Sequence, residues 1–239
     1  MTSPDFAQLL RSITRCNTVY QPDAPARFAA QGYTVLGWHS TTTAQGAALY
    51  DPQTGRHILC IAGTRVTNGT TAQAVTDIWE DAEEIFANHD LGGGAIVASG
   101  AYRRGTELCA ALLPAFPVGS LIDGEGHSLG GQDTHALRCI LPPDKIGALT
   151  AWEPPKAGND AFWTQYGTSD TNTVLNGLDP WAAHPWGSQT LRHPPGPILW
   201  LHDGGWSWVT RDTWPGPSAL HAGDHDTDSV IRSVAQLVG

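Results

Sequence analysis

Positive charge and sulfur are what this chain has least of. Lysine and arginine number 13 against 23 aspartates and glutamates, for a formal charge of −10. The clustered cations that grip a phosphate backbone are therefore missing, and no nucleic-acid partner is expected. The 4 cysteines, Cys16, Cys60, Cys109 and Cys139, stand singly. They have neither the paired spacing of a zinc site nor the density of a disulfide scaffold, so they are expected to be reduced and mostly buried, with no metal bound. No apolar run approaches the roughly 20 residues of a membrane span. Met1-Thr2-Ser3-Pro4-Asp5 lacks the basic and then apolar segments that direct secretion. A chain that is cytoplasmic as synthesised is the expectation, with export by another route left open.

What is present suits one α/β domain over residues 1–239, with enough apolar residues for a sizeable core. Ser3-Pro4 reads as a helix opening, and Phe6, Leu9, Leu10 and Ile13 follow at helical spacing as far as about Tyr20. Pro22 and Pro25 read as breakers. Tyr33 to His39 and Ala47 to Tyr50 read as strands, and His57-Ile58-Leu59-Cys60-Ile61-Ala62 as a central strand buried on both faces. A polar stretch from Arg65 to Thr76 reads as a loop, Trp79 to Phe86 as amphipathic, and the glycine triplet at 92 to 94 as a turn. A helix is expected from Gly100 to Leu113, a strand from Gly119 to Glu125, a helix from Leu129 to Leu141, and strands at Ile146 to Trp152, Thr173 to Leu175 and Pro197 to His202. Such alternation argues for a mostly parallel sheet with helices on both faces.

Ser128 sits between the expected strand and helix in Gly126-His127-Ser128-Leu129-Gly130-Gly131. A serine on so sharp a strand-to-helix turn needs glycine two residues to either side, and the turn pushes its hydroxyl into the open. The helix N-terminus beneath favours negative charge, and the amide of Leu129 points to where an oxyanion would form.

Gly-His-Ser-Leu-Gly-Gly resembles the nucleophile motif of the class 3 lipases, the family that includes many fungal triacylglycerol lipases. Ile58 to Thr64 followed by Asp77-Ile78-Trp79-Glu80-Asp81 is similar to that family's strand ending in Gly-Thr with a downstream Asp-Trp-x-x-Asp-like segment. Trp152 to Phe162 resembles its Gly-x-Pro-x-x-Gly-Asn-x-x-Phe element, and Asn176-Gly177-Leu178-Asp179-Pro180-Trp181 its Asn-x-x-Asp-Pro-Val. These matches run in order over about residues 57–230. The resemblance implies an α/β-hydrolase fold and a triad in the order Ser128, Asp179, His225. His225 fits best as the base because it lies just before the last expected helix, and His221 is the alternative. Thr64 would supply the second oxyanion donor beside Leu129.

Asp224, Asp226 and Asp228 alternate like calcium-loop ligands, but Ser229 and Ala235 stand where that loop requires glycine and glutamate. Of the 10 tryptophans, all but Trp38 and Trp79 lie from Trp152 onward. They suit either a wide apolar pocket or a loop-rich core, and Trp181 is expected to line the site. The stretch from Val66 to Val75 is too polar for an amphipathic lid. Short or soluble acyl esters are thus expected above emulsified lipid, without a cofactor. The rival expectations are an inactive hydrolase-like binding or structural protein, and an enzyme acting on another acyl bond.

Overall fold

The structure, a computed structural model, describes residues 2–63, 87–188 and 190–238. Helix α1 (Phe6–Val19) opens on Asp5, whose carboxylate accepts from the amide of Gln8 at 2.9 Å. The cap is therefore Asp5 and not Ser3, because an aspartate three residues before a helical amide fills the same role nearer the apolar stripe. Helix α2 (Ala24–Ala30) was expected to be a break. Pro25 lies in its first turn, where proline's missing N–H has no helical partner to lose.

Strands β1 (Thr34–Ser40), β2 (Gln45–Asp51) and β3 (Arg56–Ile61) form an antiparallel meander. A hairpin of β4 (Asn88–Asp90) and β5 (Ile96–Ala98) then turns through the glycine triplet, all three residues at positive φ. Next come α3 (Ser99–Leu112), β6 (Ile122–His127), α4 (Leu129–Ile140), β7 (Ile146–Trp152), α5 (Asp160–Tyr166), β8 (Thr171–Asn176), β9 (Ile198–His202), β10 (Gly205–Val209) and α6 (Thr227–Ala235). Strand β6 starts later than Gly119 because residues 117–120 form a turn, with the amide of Ser120 donating to Pro117. Strand β10 was not expected. Asp203 and Gly204, both at positive φ, make the two-residue turn that folds it back on β9.

The main sheet has 8 strands in the order β1-β2-β3-β6-β7-β8-β9-β10, parallel from β3 to β9 and antiparallel at both edges. Both faces of this sheet are covered. Ala47, Leu49, Ile58 and Cys60 pack with Ile13, Cys16 and Val19 of α1 and Val230 and Val234 of α6. Ala48, Leu59 and Ile61 pack with Leu108 and Leu112 of α3 and Leu137 of α4. This is the α/β-hydrolase architecture, with helices on both faces of a mostly parallel sheet. The four cysteines carry free thiols, three of them buried. No described helix is long and apolar enough to cross a membrane.

Candidate active site

Between β6 and α4 the backbone of Ser128 takes φ 60° and ψ −129°, a conformation that costs a residue with a side chain on the order of 1–3 kcal/mol. Surrounding hydrogen bonds hold it there. The Ser128 amide donates to the carbonyl of Trp152 at the end of β7 (2.9 Å), and its own carbonyl accepts from Gly131 and Gln132. A side chain at Gly126 would meet the Gly130 backbone, and one at Gly130 would meet the carbonyl of Ile61. Both flanking glycines are therefore dictated by space. Leu129 begins α4, so its N–H is one of the donors that no helical turn can use.

Two further loops reach this turn. His225 Nε2 lies 2.9 Å from Ser128 Oγ, and His225 Nδ1 lies 2.8 Å from Asp179 Oδ2. Asp179, fully buried beyond β8, uses its other oxygen to accept from the amide of Trp181 (2.9 Å). The loops that carry Asp179 and His225 are tied to each other. Asn176 Nδ2 donates to the carbonyl of Asp224 (2.8 Å), and the Asp224 carboxylate accepts from the amide of Leu178 (3.0 Å).

Beneath this row lies a second buried layer. His127 Nε2 is 2.9 Å from the carbonyl of His225, which only accepts, so Nε2 carries the proton of that ring. Nδ1 is then the acceptor for Tyr20 Oη–H (3.1 Å), and Tyr20 Oη accepts from the amide of Gly63 (2.9 Å). Burial, reinforced by His225 alongside, depresses the basicity of His127 well below the ordinary histidine range and keeps it neutral. The residue before the serine thus anchors the backbone of His225. Glu153 completes the layer with Oε2 at 3.2 Å from His127 Nε2. His127, Glu153 and His225 bring ligand-type atoms within 4.8 Å of one another, but His225 Nδ1 is already engaged by Asp179 and His127 Nε2 by a carbonyl.

Other expected positions fall elsewhere. His221, the alternative base, is half exposed and pairs with Asp224 (3.2 Å) on the outside of the loop. Thr64, Asp77 to Asp81, the polar stretch 65–76 and the segment 79–86 lie outside the described residues. Trp181 stands beside the row, its ring centroid 6.1 Å from that of His225 and stacked on His184 at 5.5 Å. Trp186 continues the group from His184 (4.4 Å). Trp152, by contrast, is core, with its Nε1 donating to Ser12. Asp226 caps α6 and Asp224 holds a loop, which accounts for the alternating aspartates without a cation. Asn159, from the element after β7, caps α5 through the amide of Phe162 and also accepts from Ile96. Sequence reasoning missed Tyr20 and Glu153; the signal for Glu153 is a charged residue where the matched element begins with glycine.

Fold and site thus place the chain in one structural class, the α/β-hydrolases, with a serine, a histidine and an aspartate hydrogen-bonded in a row. Among solved structures, a mono- and diacylglycerol lipase from Aspergillus oryzae is similar over 96% of this chain and 100% of its own, with TM-score 0.74 and 16% identity. Lipase II from Rhizopus niveus is similar over 92% and 93%, with TM-score 0.64 and 18% identity. A triacylglycerol lipase described as having a serine protease triad at its catalytic centre is similar over 94% of both chains, with TM-score 0.71 and 16% identity. At these identities the likeness establishes a fungal-lipase-like fold. No protein-family model matches the chain, and no curated protein matches it.

Proposed function

We propose that this protein is a serine carboxylic-ester hydrolase working through an acyl-enzyme. The observation that carries the reading is the unbroken row from Ser128 Oγ through His225 to Asp179, with steps of 2.9 and 2.8 Å. In this scheme His225 Nε2 takes the hydroxyl proton as Ser128 Oγ attacks the ester carbonyl. Asp179 holds the other imidazole proton and stabilises the imidazolium, and His225 then protonates the departing alcohol. Water repeats the sequence to release the acid. The amide of Leu129, with Thr64 as the expected second donor, stabilises the oxyanion. The substrate is a small acyl ester or lipid, short or soluble esters being favoured, with Trp181 against the acyl or alcohol group. The scheme calls on no cofactor. Support comes from the strained serine backbone, from the tied acid and base loops, and from the likeness to structures described as lipases.

A fluorophosphonate probe tests the reading: labelling is expected for the natural chain and absent from Ser128→Ala. Labelling of both to the same extent sinks it. Turnover of p-nitrophenyl esters of increasing chain length tests the substrate. A steep rise for long chains above their solubility limit would overturn the preference for soluble esters.

A further inference from the structure

Glu153 follows the last residue of β7 and has φ 46°, a left-handed backbone that suits glycine. A residue with a side chain is strained in that conformation, and glycine is also what the resembling element carries at this place. The side chain that this backbone tolerates is fully buried. Its Oε2 lies 3.2 Å from His127 Nε2 and 3.8 Å from His225 Nδ1, while Oε1 has no partner among the described residues. Its ion-pair neighbours among the described residues are these two imidazoles, without a lysine or arginine. A carboxyl kept only for stability would be fully paired.

We propose that Glu153 is a positioning residue, a second acid that shares the imidazole of His225 with Asp179 and takes over its Nδ1 proton when Asp179 is uncharged. The proposal rests on the triad reading. Two carboxyl groups on one imidazole cannot both ionise cheaply. Burial first, and the charge of Asp179 next, push Glu153 well above the ordinary carboxyl range, so one negative charge serves the pair. The groups that face it are Asp179 from the loop after β8, Asp224, His225 and Asp226 from the loop before α6, His127 from the end of β6, and the backbone amide of Asn176, which donates to its carboxyl and favours the charged form. Tyr20 lies one hydrogen bond further away.

The test is a cycle of Asp179→Asn, Glu153→Gln and the double variant. It is read by kcat/KM on a soluble p-nitrophenyl ester across pH, with fluorophosphonate labelling of each protein. Loss of a triad aspartate alone typically costs about 10⁴-fold; with Glu153 available, Asp179→Asn is expected to lose only about 10²- to 10³-fold. Glu153→Gln should cost roughly 3-fold in the natural chain and at least about 10-fold in the Asp179→Asn background. The Asp179→Asn profile should show an acid limb, activity rising as Glu153 ionises, that vanishes in the double variant. Glu153→Gly, which suits the backbone, should repeat the result if the glutamine variant folds poorly. Equal factors in both backgrounds, or an acid limb that survives Glu153→Gln, overturn the second-acid role while leaving a labelled Ser128 intact. A natural chain that the probe does not label overturns the hydrolase reading and this proposal together.

Discussion

Two glutamates on neighbouring strands are both buried, and they are held in opposite ways. Glu125, within β6, receives two hydrogen bonds from Arg15, at 2.8 and 2.6 Å; Arg15 also donates to Tyr33 Oη and lies over that ring. Its backbone is that of an ordinary strand. Glu125 also lines a cavity of about 290 Å³ with Ser12, Asp123, Thr150 and Trp208, near the starts of the parallel strands. Glu153, at the other end, has a left-handed backbone, an oxygen without a partner among the described residues, and the carboxylate of Asp179 as a neighbour. Parallel sheets of this kind carry their chemistry at the carboxyl ends of the strands. The contrast shows where the fold tolerates strain: the end near the strand starts pairs its buried carboxylate, and the end that holds Ser128 keeps a carboxyl without a cationic partner among the described residues.

The paired end should break hardest. Arg15→Leu leaves Glu125 buried and alone, and is expected to cost about 3–5 kcal/mol of folding stability, which for a chain this long is roughly a 10 °C fall in melting temperature. Thermal and urea unfolding check it, and a loss under about 1 kcal/mol would mean that water already screens the pair. Replacing both partners, as Arg15→Met with Glu125→Leu, should leave stability within about 2 kcal/mol of the natural chain, since no unpaired charge remains. Esterase activity per folded molecule should change in neither protein, because the hydrogen bonds of the pair run to each other and to Tyr33 and not to Ser128, His225 or Asp179. A drop in kcat with unchanged stability would erase the division between the two ends.

The division was legible in the sequence only at the reactive end, and only in part. Gly126, Ser128 and Gly130 announce themselves because a single tight turn dictates all three, and β3 because two-sided burial leaves a continuous apolar run. Asp179 and His225 needed ordered motifs, since nothing local tells an aspartate that meets a distant histidine from a turn-capping one. Helix α2 was hidden by reading Pro25 as a breaker when it lies in a first turn, and β10 by passing over the Asp203-Gly204 turn signal. Tyr20 and the Arg15–Glu125 pair were not legible at all, and Glu153 only as a charged residue at the glycine of a matched element. Their partners lie far along the chain, Tyr20 being 107 residues from His127, and periodicity carries no information at that range.

The smallest effect is the most direct test of the strained end. A carboxyl whose folded value is raised binds its proton more tightly in the native chain than in the unfolded one. The stability it brings is therefore fully present below the ordinary value of 4.5 and is lost as pH rises through the folded value. Glu153→Gln cannot ionise and should escape that loss. Its stability relative to the natural chain should rise as pH climbs above 4.5 and level off once Glu153 has ionised in the folded protein. Urea midpoints at several pH values measure it. A gap that stays flat would mean that Glu153 ionises as easily as a surface carboxyl, and the contrast with Glu125 would lose its physical basis. A widening gap together with slower turnover would give Glu153 the signature of a residue kept for chemistry at the expense of stability.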